Sequence, residues 1–363
     1  MSNGNTLLAT LTLPFKSART IYEGSSEVRL YRNDVTGVQE IGKRVSKVGL
    51  EDALGFKEAE LLQRLRHDHL VPVYTVASVT EAGADPLMTV IEMIMPYYPR
   101  GSVSDVLARN ERLGIGDAVR LARHFLLGLD FLHEKQGVLH RDMKSGNVFI
   151  DPEGRGRIGD LGLAVSMEPD GTAEALPGTL FYTAPEAFPT KRTDRRADIY
   201  GVGLILHELL NGPFSWTYYD GLPTDDLLRR LARGQRAMKD EHLVFKPHVP
   251  PRLRTVVTKA IACKPSYRFA TAREMLEALG KAPLIDWYQV GEPFTWEGTV
   301  PTLPRVSYQV SATRVRRPDR WRLSGKKKIE DWRRCLDDQD VTDLSDKAVR
   351  DFFDQMVSEA MSR

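Results

Sequence analysis

The residues most able to do chemistry lie close together in the middle of the chain. The segment His140 to Asn147 reads His-Arg-Asp-Met-Lys-Ser-Gly-Asn, and Asp160 begins an Asp-Leu-Gly segment 13 positions after Asn147. Carboxylate and amide oxygens can bind hard metal ions, and a carboxylate can accept a proton from a reacting group. The simpler alternative is a polar loop that caps the preceding helix, and each residue taken singly favours it.

The complete set, followed by Ala184-Pro185-Glu186, resembles the catalytic loop, metal-binding motif and activation-segment end of protein kinases. The resemblance covers roughly residues 22–279. It implies an α+β, two-lobed protein kinase fold with a small β-rich N-lobe that has one helix and a larger helical C-lobe. A mixed α/β C-terminal extension follows. The implied activity is transfer of the γ-phosphoryl group of ATP, with Mg²⁺ or Mn²⁺, to serine or threonine hydroxyls of protein substrates.

The resemblance also assigns roles to the residues of these motifs. Asp142 would accept or orient the proton of the attacking hydroxyl, while Asn147 and Asp160 would hold the metal. Lys144 is the serine/threonine signature of the family and would touch the γ-phosphate, and Thr179 matches the threonine that bridges Asp142 and Lys144. Such residues are needed because the transferred group carries dense negative charge.

Upstream, the family requires a strand lysine and a helix glutamate that holds it against the α- and β-phosphates. Lys43 fits the strand position and Glu58 fits the helix position, with Lys47 and Glu60 as alternatives in a shifted register. Glu58 is preferred because it lies nine residues before His67. The alternative is that these are solvated charges on a surface strand and helix.

The glycine-rich loop departs from the family pattern. Of the expected G-x-G-x-x-G-x-V, the segment Tyr22 to Val28 retains only Gly24 and Val28. Ser25 and Ser26 can donate hydroxyls in place of the lost glycines. Because glycine lets the backbone approach phosphate closely, a loop with fewer glycines is expected to be stiffer and to use ATP less efficiently.

The adenine pocket is predicted after a strand at Leu87 to Val90. Ile91 would be the gatekeeper, and Glu92 and Ile94 would offer backbone groups to adenine. The alternative is a buried strand end, and both interpretations can hold together.

The activation segment contains three candidate phosphoacceptors or positioning hydroxyls, Ser166, Thr172 and Thr179. Ser166 and Thr172 are the candidates for activating autophosphorylation, because Arg141 beside the catalytic aspartate could pair with a phosphate and order the loop. The alternative is that they are ordinary loop hydroxyls.

Five residues match structural positions of the family. His140 and Arg141 belong to the catalytic loop, and Asp198 resembles the helix residue that braces its backbone. Arg268 resembles the arginine that pairs with Glu186, and loss of such a buried pair is expected to cost roughly 3 to 5 kcal/mol.

The elements around these motifs change in type along the chain. Strands are predicted at Thr10 to Leu13, Glu27 to Leu30 and Val71 to Tyr74, and one helix at Glu51 to Arg66. After Gly101 helices dominate. The predicted ones are Val103 to Arg109 capped by Ser102, a longer helix through Leu132 capped by Asp117, and helices at Ala197 to Leu210, Pro250 to Cys263 and Thr271 to Leu279.

These elements predict a domain division. Residues 1–20 form an N-terminal extension, residues 21–282 the kinase domain (N-lobe about 21–95, C-lobe about 96–282), and residues 283–363 a C-terminal extension.

In the C-terminal extension eleven basic residues lie in Arg305 to Arg334 and eight acidic ones in Cys335 to Arg363. A strand is predicted through Tyr308 and a helix through Trp332. A final amphipathic helix, 345–361, is expected to dock on its own chain or to bind a second copy or a partner protein.

Composition limits the functional classes. The 363 residues carry a formal net charge of +2, which argues against nucleic acid as a partner. Two cysteines, with neither a signal peptide nor a membrane span in the sequence, predict a cytoplasmic protein. Two rival functions remain: a pseudokinase or nucleotide-binding scaffold that acts through its extension, and a small-molecule kinase of similar fold.

Overall fold

A computed structural model describes most of the chain. The described residues are 15–23, 26–46, 64–79, 90–111, 113–176, 178–214, 224–280, 285–291, 294–300, 303–315, 320–345 and 347–362. The chain divides into two compact units, the first formed by residues 1–66 and 71–99 and the second by residues 67–70 and 100–363. The first is rich in strands and the second in helices followed by a sheet, which confirms the predicted fold class.

The first unit is built on a five-stranded antiparallel sheet with the order β1-β2-β3-β5-β4. Its strands are β1 (Phe15–Glu23), β2 (Glu27–Asn33), β3 (Gln39–Ser46), β4 (Thr75–Val79) and β5 (Val90–Pro96). The strand predicted at Glu27 lies within β2. The strand predicted at Val71 to Tyr74 is wrong, because the fourth strand begins only at Thr75. Thr10 to Leu13 and nearly all of the helix predicted at 51–66 lie outside the described residues.

Seven helices of the second unit precede the extension in the described part of the chain. They are α1 (Val103–Ala108), α2 (Ile115–Asp130), α3 (Ala187–Thr190), α4 (Arg195–Asn211), α5 (Thr224–Ala232), α6 (Pro251–Ala260) and α7 (Ala272–Gly280). Helix α4 is buried on nearly all sides, from Asp198 to Leu210, because α2, α6 and α7 pack around it. It therefore forms the centre of the lobe.

Helix α1 begins at the cap predicted from the sequence, whereas helix α2 does not. Ser102 and Asp105 form the capping box of α1, with Ser102 Oγ accepting from the Asp105 N–H. Helix α2 begins two residues before the predicted cap, Asp117, and its N-cap is Gly114. At its other end α2 runs into a π-helical turn, Phe131–Lys135. The predicted cap of α2 is therefore wrong.

Short strands position the loops between α2 and α4. They are β6 (Val138–Leu139), β7 (Val148–Ile150), β8 (Gly156–Ile158), β9 (Val165–Ser166), β10 (Thr172–Glu174) and β11 (Arg192–Asp194). They pair as β6 with β9, β7 with β8 and β10 with β11, all antiparallel. The segment from β6 to β7 is thereby fixed at both ends.

The extension is an antiparallel meander of five strands covered by one helix. Its elements are β12 (Asp286–Gly291), β13 (Thr295–Val300), β14 (Leu303–Arg314), β15 (Trp321–Lys328), β16 (Trp332–Val341) and α8 (Lys347–Met361). The helix predicted through Trp332 is wrong, because β15 and β16 pair as a hairpin there. The final helix formed as predicted.

The apolar stripe of α8 is buried. Phe352, Phe353 and Met356 are each at most 1% exposed, and the Phe353 ring packs edge-on against Trp287 of β12. Docking of this helix on its own chain is therefore the arrangement in the structure. Dimerisation through the stripe stays a prediction that would require the helix to leave its sheet.

The extension also contacts the helices of the second unit. His248, just before α6, stacks on Trp296 of β13 with the ring centroids 4.2 Å apart. Arg254 of α6 forms an ion pair with Asp354 of α8. Among the described residues, no helix has both the length and the apolar character needed to cross a bilayer.

Candidate active site

The carboxylate of Asp142 is the centre of a hydrogen-bond network in the second unit. Its Oδ2 accepts from Lys144 Nζ at 2.7 Å and from Asn147 Nδ2 at 2.8 Å. The same amide nitrogen also donates to the Asp142 carbonyl at 2.9 Å. Asp142 and Asn147 are buried, whereas the ammonium side chain of Lys144 is 27% exposed. A fixed carboxylate beside a partly exposed cation can accept a proton next to an anionic substrate.

Thr179 completes this network from the activation segment. Its hydroxyl accepts from Lys144 Nζ at 2.9 Å and donates to Asp142 Oδ1 at 3.3 Å. A Cβ on the preceding residue, Gly178, would lie 2.8 Å from Asp142 Oδ1, so only glycine permits this close approach. The structure therefore brings together Asp142, Lys144, Asn147 and Thr179.

His140 ties the catalytic loop to the segment that carries Asp160. Its Nε2 lies 3.0 Å from the Gly159 carbonyl and donates to it, and its Nδ1 accepts from the Asp142 N–H at 3.2 Å. The Gly159 N–H in turn donates to the Asn147 carbonyl at 2.8 Å. Because Gly159 is held at both of its backbone groups, the position of Asp160 is set relative to Asp142.

Two residues at this site have left-handed backbone conformations. Arg141 has φ +66° and Asp160 has φ +55°, and neither is a glycine. Non-glycine residues in this region are strained, and such strain concentrates at functional sites. The left-handed backbone of Asp160 and the hydrogen bonds of Gly159 thus both set the direction of the exposed Asp160 side chain.

Asp198 of α4 braces the backbone of the loop. Its carboxylate accepts from the N–H groups of His140 and Arg141 at 2.9 and 2.8 Å, and from His133 Nε2 at 2.7 Å. Burial alone would raise the pKa of Asp198, but the hydrogen bond and charge of His133, with the backbone N–H of His140, hold it below its ordinary value. Asp198 therefore holds the loop as a carboxylate. His133 was not singled out from the sequence, because it lies 65 residues from Asp198.

A second buried network, absent from the sequence analysis, links the catalytic loop to the activation segment. Tyr182 Oη donates to Glu208 of α4 and lies 2.8 Å from Ser145 Oγ, directly after Lys144. Burial raises the pKa of Glu208 to about 7, and burial beside Glu208 raises the pKa of Tyr182 well above its ordinary value. The local signal for this site was Glu208 within the mostly apolar second half of α4.

Arg268 and Glu186 form a bidentate ion pair of 2.7 and 2.6 Å. The Arg268 side chain is fully buried and also donates to three backbone carbonyls. This arrangement anchors the end of the activation segment to the segment before α7.

The residues expected in the first unit are only partly described. Lys43 lies in β3 opposite Met93 of β5, and Val28 lies in β2 opposite Lys43. Ser26 lies at a bend just before β2. Gly24, Ser25 and Glu58 lie outside the described residues.

The hinge prediction requires a correction. Ile91, Glu92 and Ile94 lie inside β5, which pairs with β3 on one side and β4 on the other. The Ile94 carbonyl accepts from the Tyr74 N–H at 2.8 Å, so it is occupied within the sheet. The backbone groups of Glu92 and Ile94 are therefore not available to a ligand, and β5 continues to Pro96.

The Glu92 side chain serves the core of the first unit. It is 1% exposed, and it accepts from Arg44 Nε at 3.2 Å and from the Tyr31 hydroxyl. Burial, and the negative charge of Glu92, raise the pKa of Tyr31 to about 12. The Glu92 side chain is thus part of a buried structural network.

The chemistry of the second-unit residues fits a magnesium ion bound together with phosphate. Asn147 uses its amide nitrogen on Asp142, which leaves the amide oxygen as its ligand atom, and Asp160 supplies an exposed carboxylate. Among the described residues, no group of three or more His, Cys, Asp or Glu could enclose a metal by itself. Mg²⁺ commonly binds through one or two protein oxygens plus substrate phosphates, so this sparse donor set suits it.

Comparison with known proteins gives a family match over most of the chain. A family model described as protein kinase domain matches residues 16–279. The chain is 30% identical to serine/threonine-protein kinase 12 of Arabidopsis thaliana, over 74% of this chain and 56% of that protein. It is 27% identical to an inactive leucine-rich repeat receptor-like serine/threonine-protein kinase of the same organism, over 73% of this chain and 42% of that one.

A bacterial relative shows similar identity. A probable serine/threonine-protein kinase of Streptomyces coelicolor is 27% identical over 60% of this chain and 32% of that protein. The chain spans between 32% and 56% of the length of these three relatives. The match over residues 16–279 shows that the chain belongs to the protein kinase family.

Proposed function

We propose that the chain is an active serine/threonine protein kinase that transfers the γ-phosphoryl group of Mg·ATP to hydroxyls of protein substrates. The observation that carries the proposal is the Asp142 carboxylate held at once by Lys144, Asn147 and Thr179. A pseudokinase has no need to keep a proton acceptor fixed beside a partly exposed lysine.

In this proposal each residue has one task. Asp142 orients the substrate hydroxyl and takes its proton, and Lys144 neutralises charge on the transferred group. Asn147 and Asp160 would hold the magnesium, which neutralises phosphate charge during transfer. Lys43 would contact the α- and β-phosphates with Glu58 as its partner, and adenine would contact the segment after Met95 in place of Glu92 and Ile94.

The proposal also covers the cellular location of the protein and its autophosphorylation. Both cysteines are free, which supports a reducing, cytoplasmic environment. Autophosphorylation is a further part of the proposal, and exposed Ser166 on β9 is the hydroxyl of the activation segment best placed to accept a phosphate.

The pseudokinase is the second candidate, because one relative is named inactive and the glycine-rich loop is incomplete. It predicts ATP binding, or none, without transfer. A small-molecule kinase predicts transfer to a small alcohol but not to protein.

The test is transfer of radiolabelled phosphate from ATP to casein, myelin basic protein and the chain itself. Asp142→Asn and Asp160→Asn should each lower turnover at least about a hundredfold while circular dichroism and melting temperature stay close to wild type. Asp351→Asn, an exposed acid on α8, is the matched control and should keep full turnover.

Two results would contradict the proposal. Near-normal transfer by either purified site variant would show that these carboxylates are not catalytic. A wild-type chain that gains thermal stability with ATP and magnesium but transfers phosphate neither to protein nor to a small alcohol would establish the pseudokinase.

A further inference from the structure

The activation segment is ordered by contacts between unmodified residues. Strand β10 pairs with β11, with Thr172 opposite Asp194 and Glu174 opposite Arg192, and the Ala175 N–H extends this ladder to the Lys191 carbonyl. Ala173, in the middle of the pairing, is 2% exposed. The segment thus has a buried anchor and paired backbone without any phosphate.

A cluster of four side chains, named here the Arg192 cluster, closes the turn before β10. It consists of Glu168, Asp170, Thr172 and Arg192. Arg192 donates to both Glu168 oxygens, at 2.5 and 2.7 Å, and also to the Thr172 hydroxyl. The Thr172 hydroxyl and N–H both donate to Asp170 Oδ1, at 2.8 and 2.9 Å.

The Glu168 carboxylate takes the arginine hydrogen bonds that a phosphate on Thr172 would need. A phosphate orders a segment by accepting bidentate hydrogen bonds from arginine. Here Glu168 already accepts such a pair from Arg192, the only cationic side chain that contacts Thr172 in the described part of the chain.

The arginine of the catalytic loop is also engaged. Arg141 donates through Nε to the Leu163 carbonyl at 2.5 Å and through Nη1 to the Glu174 carbonyl at 2.8 Å. Leu163 lies near the start of the segment and Glu174 lies in β10, so Arg141 holds the backbone of the segment at two places.

A phosphate on Thr172 would act against this arrangement. It would replace the hydroxyl that donates to Asp170 and add about two negative charges beside that carboxylate and Glu168. Like charges at such distances repel, and Arg192 would have to leave Glu168 to neutralise the phosphate.

We infer that the Arg192 cluster keeps the activation segment ordered without phosphorylation, and that phosphorylation of Thr172 releases the β10–β11 pairing and lowers activity. The inference rests on the proposed kinase activity only for its effect on turnover. Its effect on order can be measured whether or not the chain transfers phosphate.

The test measures hydrogen exchange of the amides in 172–175 and 192–194 in the full chain after phosphatase treatment, with phosphate content checked by mass spectrometry. We expect these amides to stay protected without phosphate. Arg192→Gln, Glu168→Gln and Thr172→Glu should each speed their exchange by at least about tenfold. Arg195→Gln, which removes a neighbouring exposed ion pair with Glu134, is the control and should leave their exchange unchanged.

Turnover is the second readout. The phosphatase-treated chain should keep at least about half of its activity, and Thr172→Glu should lose most of it. The inference is overturned if the amides are protected only when Thr172 carries phosphate, or if Thr172→Glu exchanges more slowly or turns over faster than wild type. If no form transfers phosphate, the proposed function fails, while the exchange rates still decide this inference.

Discussion

The carboxylate of Asp286 accepts a hydrogen bond from the backbone N–H of Gly116, 170 residues earlier in the chain, at 2.8 Å. Asp286 begins the sheet of the extension, and Gly116 lies in the first turn of α2. The first N–H groups of a helix have no partner within the helix, so the extension supplies the cap that α2 lacks in its own sequence.

Removing this cap should lower the stability of the fold. We expect Asp286→Ala to reduce the free energy of unfolding by about 1 kcal/mol in urea titrations. Asp286→Asn should cost less, because it keeps an acceptor and burial already raises the pKa of the carboxyl above its ordinary value.

A double-mutant cycle tests the contact itself. A Cβ at Gly116 would lie 2.8 Å from Asp286 Oδ2, so Gly116→Ala should destabilise the wild type. In the Asp286→Ala background the clash is gone, and alanine should then stabilise α2 by roughly 0.5 to 1 kcal/mol. Equal effects of Gly116→Ala in both backgrounds would show that the two residues do not interact.

Glu208 should make stability depend on pH near neutrality. Its pKa of about 7 in the folded protein lies above the ordinary 4.5, because the carboxyl is buried. The folded state therefore binds this proton more tightly, and the resulting stability is fully present below about pH 4.5 and lost as pH rises through 7. The total is at most about 3 kcal/mol.

The measurement compares wild type with Glu208→Gln in urea at pH 5, 6, 7 and 8. Glutamine keeps an acceptor for the Tyr182 hydroxyl but does not titrate. The variant should gain stability relative to wild type as pH rises, whereas exposed Glu277→Gln should follow the wild-type curve. A constant difference across this range would show that Glu208 does not change charge there.

The buried ion pair of Arg268 and Glu186 should matter more to folding than to chemistry. Arg268→Ala leaves Glu186 without its partner, and we expect a loss of about 3 to 5 kcal/mol in the free energy of unfolding. Arg322→Ala removes an exposed pair with Asp340 and should change stability little. A melting temperature for Arg268→Ala close to that of the control would rule out this role.

Sequence reasoning located those site residues whose signals are local. Asp142, Lys144 and Asn147 fall within six positions, so one motif names all three, and the structure brings their side chains together. The roles given to them stay predictions.

Features that depend on distant partners were missed. Glu92 suggested the end of a strand, because a charged side chain is seldom buried without a partner. It lies inside β5 because its partner Arg44, 48 residues away, satisfies the buried charge. Asp117 was preferred as the cap of α2 because Asp286 is remote in sequence. The helix predicted through Trp332 is instead part of the β15–β16 hairpin, whose highly charged sequence shows no clear period-2 pattern.

The π-helical turn Phe131–Lys135 at the end of α2 determines the direction in which His133 points. It carries His133, which reaches Asp198 of α4 at 2.7 Å. A π turn contains one residue more than an α turn, and each residue of a helix rotates the chain by about 100°. The extra residue therefore changes the direction of the side chains that follow it, so that His133 faces Asp198 while the apolar stripe of α2 stays in the core. The length of this turn is as much a part of the site as the identity of its histidine.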